Sequence, residues 1–143
     1  MTVAEARKKL LKSALAYPDA WTDHPWGETV VKVGKKIFVF LGLADGTLHV
    51  TCKLPHSFDA ALSTFSFAEA TGYGLGASGW VTARFEGKQK VPVPLLIDWV
   101  GESYRAVAPA KLVKQLPEHP AGERRSPGRA RASPRPARSA RSR

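Results

Sequence analysis

The sequence predicts an α+β domain of two layers, an antiparallel sheet with helices packed on one face. Three observations carry this. A capped amphipathic helix opens the chain, four strand-like segments separated by turn residues occupy its middle, and a long helical pattern closes its apolar part. The predicted order is helix, three strands, helix, strand, helix. The sheet face away from the helices is left open to water or to a partner.

Each element has its own signal. Thr2 and Glu5 form a T-x-x-E capping box that starts a helix at Val3. Val3, Ala6, Leu10, Leu11, Ala14 and Leu15 share one side of that helix, and Lys8, Lys9 and Lys12 the other. Arg7 falls in the apolar arc, where its long stem can snorkel. Pro18 ends the helix, because the residue before proline disfavours α geometry. "WTDHPWG" reads as a turn-rich connector, and "ETVVKVG" and "KKIFVFLG" as two strands joined at Gly34. After the tight-turn signal "ADG", "TLHVTCKL" alternates with Leu48, Val50, Cys52 and Leu54 on one side and Thr47, His49, Thr51 and Lys53 on the other. "SFDAALSTF" places Phe58, Ala61, Leu62 and Phe65 on one helical face. "WVTARF" is the fourth strand, with Val81, Ala83 and Phe85 opposite Trp80, Thr82 and Arg84. A turn at Glu86–Gly87 leads to a helix carrying Leu96, Trp99, Val100, Tyr104 and Val107, and Pro109 opens a last helical segment with Leu112, Val113 and Leu116.

The chain has 143 residues and a formal net charge of +10, unevenly placed. Residues 118–143 hold eight Arg against Glu118 and Glu123, and no Leu, Ile, Val or aromatic residue. Such a segment buries too little apolar surface to offset its ordering entropy, so a disordered basic arm is expected after a domain at 1–117. That arm either condenses on nucleic acid or acidic lipid by counterion release or acts only as a solubilising extension. Cys52 is the only cysteine, which excludes an internal disulfide and a CxxC site. No apolar run approaches the roughly 20 residues of a membrane span, and charges interrupt the first residues too often for a signal-peptide core. A cytoplasmic, soluble monomer is the expectation.

"GYGLGASGWV" places Gly74, Gly76 and Gly79 in a G-x-G-x-x-G spacing, and Val81 extends it to the kinase form. A dinucleotide loop follows a strand and opens a helix; here a helix is expected before the glycines and a strand after them. The kinase reading lacks V-A-I-K, H-R-D and D-F-G, and no Walker motif occurs. The glycines are expected to serve a bent connection that needs positive φ. His24, His49, His56 and His119 are too scattered for a metal site, and Ser103 in "GESYR" is no nucleophile elbow. Asp98 and Glu102 share a helix face, read as solvated, with Glu102 close to Arg105. Cys52 lies among core residues and is expected to be inert. No catalytic constellation, metal site or cofactor is expected.

A surface site remains. The open face offers Trp80 among His49, Lys53 and Arg84, with Lys35 and Lys36 at one hairpin tip and Lys88 and Lys90 flanking the next turn. Bases stack on aromatic rings while Lys and Arg track phosphates. The alternative is that Trp80 packs locally and the lysines are only solvated. Trp26, with Gly74 and Gly76, offers a second candidate groove, or Trp26 is a core plug after Pro25.

Taken together, "YPDAWTDHPWGETVVKVGKKIFVFLG", "GYGLGASGWVTARF" and "WVGESYRAVAPAKL" resemble the MmcQ/YjbR family from about Ala4 to Leu116. The resemblance rests on Tyr17–Pro18, Pro25–Trp26–Gly27, Val33–Gly34 with Lys36–Ile37–Phe38, Trp80–Val81 and Ser103–Tyr104. The glycine segment departs from shorter family versions. The resemblance implies a CyaY-like, frataxin-like fold and a double-wing DNA-binding protein, with no enzymatic activity defining the family. It also raises iron handling of the frataxin kind, which uses an acidic ridge on the first helix; Lys8, Lys9 and Lys12 oppose that here. The expectation is a non-enzymatic nucleic-acid-binding module, and the alternative is a protein-interaction or small-ligand module using the same open face or groove.

Overall fold

In the computed structural model, which describes residues 2–25, 28–72 and 74–116, the first helix starts where its capping box dictates. Thr2 Oγ1 accepts the Glu5 amide at 3.1 Å, and Glu5 Oε1 accepts the Thr2 amide at 2.8 Å. Helix α1 (Val3–Leu15) buries Val3, Ala6, Leu10 and Ala14. Arg7 does not snorkel. Its Nε donates to the Leu41 carbonyl at 3.0 Å and its Nη2 to Thr29 Oγ1, so the charge in the apolar arc ties α1 to the sheet.

Among the described residues six strands follow, two more than expected: β1 (Ala20–Asp23), β2 (Val30–Val33), β3 (Lys36–Ala44), β4 (Thr47–Lys53), β5 (Ala68–Ala70) and β6 (Trp80–Phe85). They form one antiparallel sheet in the order β1-β2-β3-β4-β6-β5. The segment read as a connector therefore begins with an edge strand, and β5 was hidden because three residues carry too little alternation to register. The turns behave as their residues demand. Asp45 (φ 54°) and Gly46 (φ 76°) supply the left-handed pair of a tight β3–β4 hairpin, and Gly34 (φ 62°) turns β2 into β3.

The core lies between one sheet face and two helices, α1 and α3 (Val93–Val107), with α2 (Phe58–Thr64) beside β5 and β6, and α4 (Ala110–Val113) following α3. Val39, Leu41, Leu48, Val50, Cys52, Val81, Ala83 and Phe85 are buried there, with Leu96, Trp99, Val100 and Tyr104 of α3 above them. Of the four residues placed on one face of α2, Ala61 is fully buried and the other three are partly covered. Phe65 instead stacks on Phe67 at 5.0 Å.

One irregularity matters for the site. Val31 pairs with Val39 but the next residue, Lys32, pairs with Ile37, so Phe38 is an extra residue in β3. The bulge sends both Phe38 and Val39 into the core, at 0% exposure, and turns Phe40 to the opposite face. Ser103 of α3 locks it: its Oγ donates to the Phe38 carbonyl and accepts the Lys53 amide at 2.8 Å. Beside it Tyr104 stacks on Tyr17 at 4.6 Å, meets Phe38 edge-on at 5.1 Å and donates its hydroxyl to the Pro18 carbonyl at 2.7 Å.

The compact unit that carries the sheet spans Met1–Val113; the rest, Lys114–Arg143, is a separate unit described only at 114–116. The basic arm expected at 118–143 lies outside the described residues. Among the described residues, no helix is long and apolar enough to cross a membrane.

Candidate functional site

On the sheet face away from α1 and α3, an open cleft of about 400 Å³ lies at the end of the sheet where the β2–β3 turn, the end of β4 and the start of β6 meet. Ile37, Phe40, Leu75 and Trp80 make its apolar surface, Lys32, Lys35, Lys36 and Lys53 surround it, and Ala106 and Val107 from the last turn of α3 close one end. No carboxylate lies among these residues. Apolar walls with a few charged groups converging on them are the usual make-up of a ligand site.

Register builds the cleft. Lys53 pairs directly with Trp80, and Phe40 with Thr51. The Phe40 and Trp80 rings meet edge to face at 5.8 Å across the intervening β4, whose short Thr51 is left buried. Thr51 and Thr82 hydroxyls lie 2.9 Å apart and Thr82 reaches Thr71 at 3.0 Å, a hydroxyl ladder that satisfies polar groups the rings have desolvated. The four lysines are not equivalent. Lys32 Nζ sits 2.7 Å from Asp23 and 5.2 Å above the Trp21 ring, and Lys32 holds the Asp23 carboxyl below its usual range. Among the described residues, Lys35, Lys36 and Lys53 face no carboxylate partner.

The expected site residues separate into two groups. Lys35, Lys36, Lys53 and Trp80 come together in the cleft. His49 and Arg84 pair with each other further along the sheet, outside it, and Arg84 is bound to Glu69 at 3.0 Å. Lys88 is exposed in the turn after β6. Thr51 and Thr82, expected on an open surface, are buried. Trp26 lies outside the described residues. Sequence reasoning passed over Lys32, Ile37, Phe40, Leu75 and Trp21. Lys32 was legible, since "VVKV" sets it opposite Val31 and Val33. Phe40 was not, because strict alternation puts it on the same face as Phe38.

The glycine segment joins two antiparallel strands, β5 and β6, through a 3-10 turn at Leu75–Ser78; a strand, not a helix, precedes it. Four of its amides are already used. Leu75, Gly76, Ala77 and Gly79 donate to the carbonyls of Gly72, Thr71, Gly74 and Gly76, so they cannot cradle a phosphate. Gly74 (φ 78°) and Gly79 (φ 92°) bracket the turn in the left-handed region. Gly76 is needed for space, since a Cβ there would sit 2.9 Å from Ala70 Cβ and 3.2 Å from the Thr71 carbonyl oxygen. Gly74 and Gly76 thus present Leu75 to the cleft. Gly76→Ala is expected to cost about 1–3 kcal/mol in urea unfolding, the usual price of overpacking, and to shift the Trp80 emission.

Other reactive groups have structural employment. The Glu102 carboxylate does not reach to Arg105; it accepts the His56 and Ser57 amides at 2.9 and 3.0 Å and the Ser57 hydroxyl at 2.6 Å, tying α3 to the start of α2. Arg105 donates to the Gly101 carbonyl instead. Among the described residues no group of three or more His, Cys, Asp or Glu is placed to hold a metal ion. Cys52 is fully buried, and burial pushes its thiol well above the ordinary range. Ellman's reagent at about pH 8 is expected to leave the native protein unmodified and to titrate Cys52 once the chain is unfolded; rapid native reaction would mean that α3 lifts from the sheet.

A protein-family model described as YjbR matches residues 15–106, from the end of α1 to the last turn of α3, which takes in all six strands and every cleft residue but Val107. Comparison with curated proteins finds no match. The matched residues include Tyr17, Phe38, Ser103 and Tyr104, the group that fixes α3 on the β3 bulge. With well over half of its length matched, the chain belongs to the YjbR family.

Proposed function

We propose that this protein is a non-enzymatic nucleic-acid-binding protein whose folded domain holds its ligand in the lysine-rimmed cleft. One observation carries the proposal: three lysines without carboxylate partners among the described residues, Lys35, Lys36 and Lys53, converge on the Phe40–Trp80 ring pair. Cations around a stacking surface suit phosphates flanking a base. The proposed role also involves the basic residues of 118–143, which would add affinity independent of sequence, and a cytoplasmic setting. The order helix, sheet, helix supports the CyaY-like layering that the family resemblance implies.

The test is a salt titration of the full chain against fluorescent single- and double-stranded DNA and RNA, following probe anisotropy and tryptophan emission together. Salt-dependent binding that changes Trp80 emission, and loses that change in Trp80→Leu, is the expected result. Salt-dependent binding with no change in emission would transfer the affinity to the basic residues beyond the domain. A neutral small ligand that shifts the emission with little salt dependence would favour a ligand-binding module instead.

A further inference from the structure

We infer that the site reads single-stranded nucleic acid laid across the strands, with Trp21 as a second stacking station beside Trp80. This rests on the cleft being the nucleic-acid site proposed above. A row of side chains crosses the strands: by register Trp21 of β1 pairs with Lys32 of β2, Lys32 with Ile37 of β3, and Lys53 of β4 with Trp80 of β6, and the two sets meet in the cleft that Lys32, Ile37, Lys53 and Trp80 line. Aromatic rings stand at the two ends of the row, with cations and one apolar residue between them. At the usual spacing of neighbouring strands, the two tryptophans are roughly 19 Å apart.

Trp21 is built as a platform. It is 44% exposed, among the most exposed large apolar side chains of the described residues. An exposed indole left to itself would rotate, but Nε1 of Trp21 donates to the Gly34 carbonyl at 2.9 Å, which fixes the ring beside the turn that carries Lys35 and Lys36. Lys32 is shared between the two parts of the site: it lines the cleft while its ammonium lies over the Trp21 ring, held by Asp23. Stacking on separated rings needs bases free of their partners, which a duplex does not offer. Lys35, Lys36 and Lys53 are set to follow the phosphates between the two stations.

The experiment uses the full chain with a single-stranded oligonucleotide of about eight nucleotides, a dinucleotide and a duplex of the longer sequence, all at one fixed salt concentration. The longer single strand is expected to bind more tightly than the duplex. Trp21→Ala should weaken its binding about tenfold, within the range for losing one stacked base, and Trp21→Phe should restore most of the loss. Dinucleotide binding, which engages Trp80 and not Trp21, should fall far less in Trp21→Ala than binding of the longer strand does. Unchanged binding of the longer strand by Trp21→Ala, with Lys36→Glu and Lys53→Glu still weakening it, would overturn the second station and leave the cleft standing. A duplex bound as tightly as the single strand would overturn the single-strand reading alone. Lysine variants without effect would overturn the cleft itself. Photocrosslinking with 5-iodouracil in the longer strand gives a measure that needs no variant to fold: adducts on both Trp21 and Trp80 support the inference, and adducts on Trp80 alone reject it.

Discussion

Replacing Lys35, Lys36 and Lys53 together with alanine is expected to lower the affinity of the full chain for single-stranded nucleic acid at least about tenfold at low salt. The slope of log Kobs against log salt should become shallower by about 2, since each phosphate contact on a single strand contributes about 0.7. The effect should be large because these are the cleft cations without a carboxylate partner among the described residues. Two comparisons give the prediction its edge. Arg84→Ala removes a cation already bound to Glu69, and Lys88→Ala one that lies beyond the cleft, so each should change affinity far less. A basic surface acting only through net charge would respond equally to any of these substitutions per charge removed. Equal responses, normalised in that way, would therefore reject a localised site.

The second large effect is on stability. Tyr104→Ala is expected to cost about 3–5 kcal/mol in urea denaturation, the range for removing a buried aromatic ring. That is a large fraction of the roughly 5–15 kcal/mol that holds a domain together. Tyr104 is fully buried, and its loss empties the space between Tyr17 and Phe38. Tyr104→Phe keeps the ring and loses only the hydrogen bond to the Pro18 carbonyl, so about 1 kcal/mol is expected. Ser103→Ala should fall between them, at about 1–3 kcal/mol, because it strands both the Phe38 carbonyl and the Lys53 amide. Burial raises the Tyr104 phenol above its ordinary value of 10.0. The neutral form is thus favoured in the folded state, and its contribution, complete below that value, is lost as pH rises through the folded pKa.

Much of the architecture was legible from local signals. The capping box, the Asp45–Gly46 turn and the alternation of "TLHVTCKL" and "WVTARF" each report an interaction that closes within a few residues, and each appears in the fold where the residues placed it. The strands β1 and β5 escaped because they are short and take their identity from pairing with β2 and β6. Glu102 looked like a solvated helix residue because its partners, the amides of His56 and Ser57, lie more than forty positions away. For the site, the residue types were legible and their grouping was not. Lys35, Lys36, Lys53 and Trp80, which line one cleft, were grouped with His49 and Arg84, which the register places elsewhere.

By itself, the sequence determined the class of fold, the core face of the two central alternating strands, the structural use of the glycines and the sign of the charge around Trp80. Periodicity, turn chemistry and composition are properties of neighbouring residues, and they survive whatever the rest of the chain does. Only the tertiary structure decided that Phe40 belongs with Trp80 while Phe38 belongs with Tyr104. One extra residue in β3 reverses the faces on either side of it, and that residue is held by a serine on a helix sixty-five positions away. The same bulge turns a set of scattered lysines and rings into one cleft.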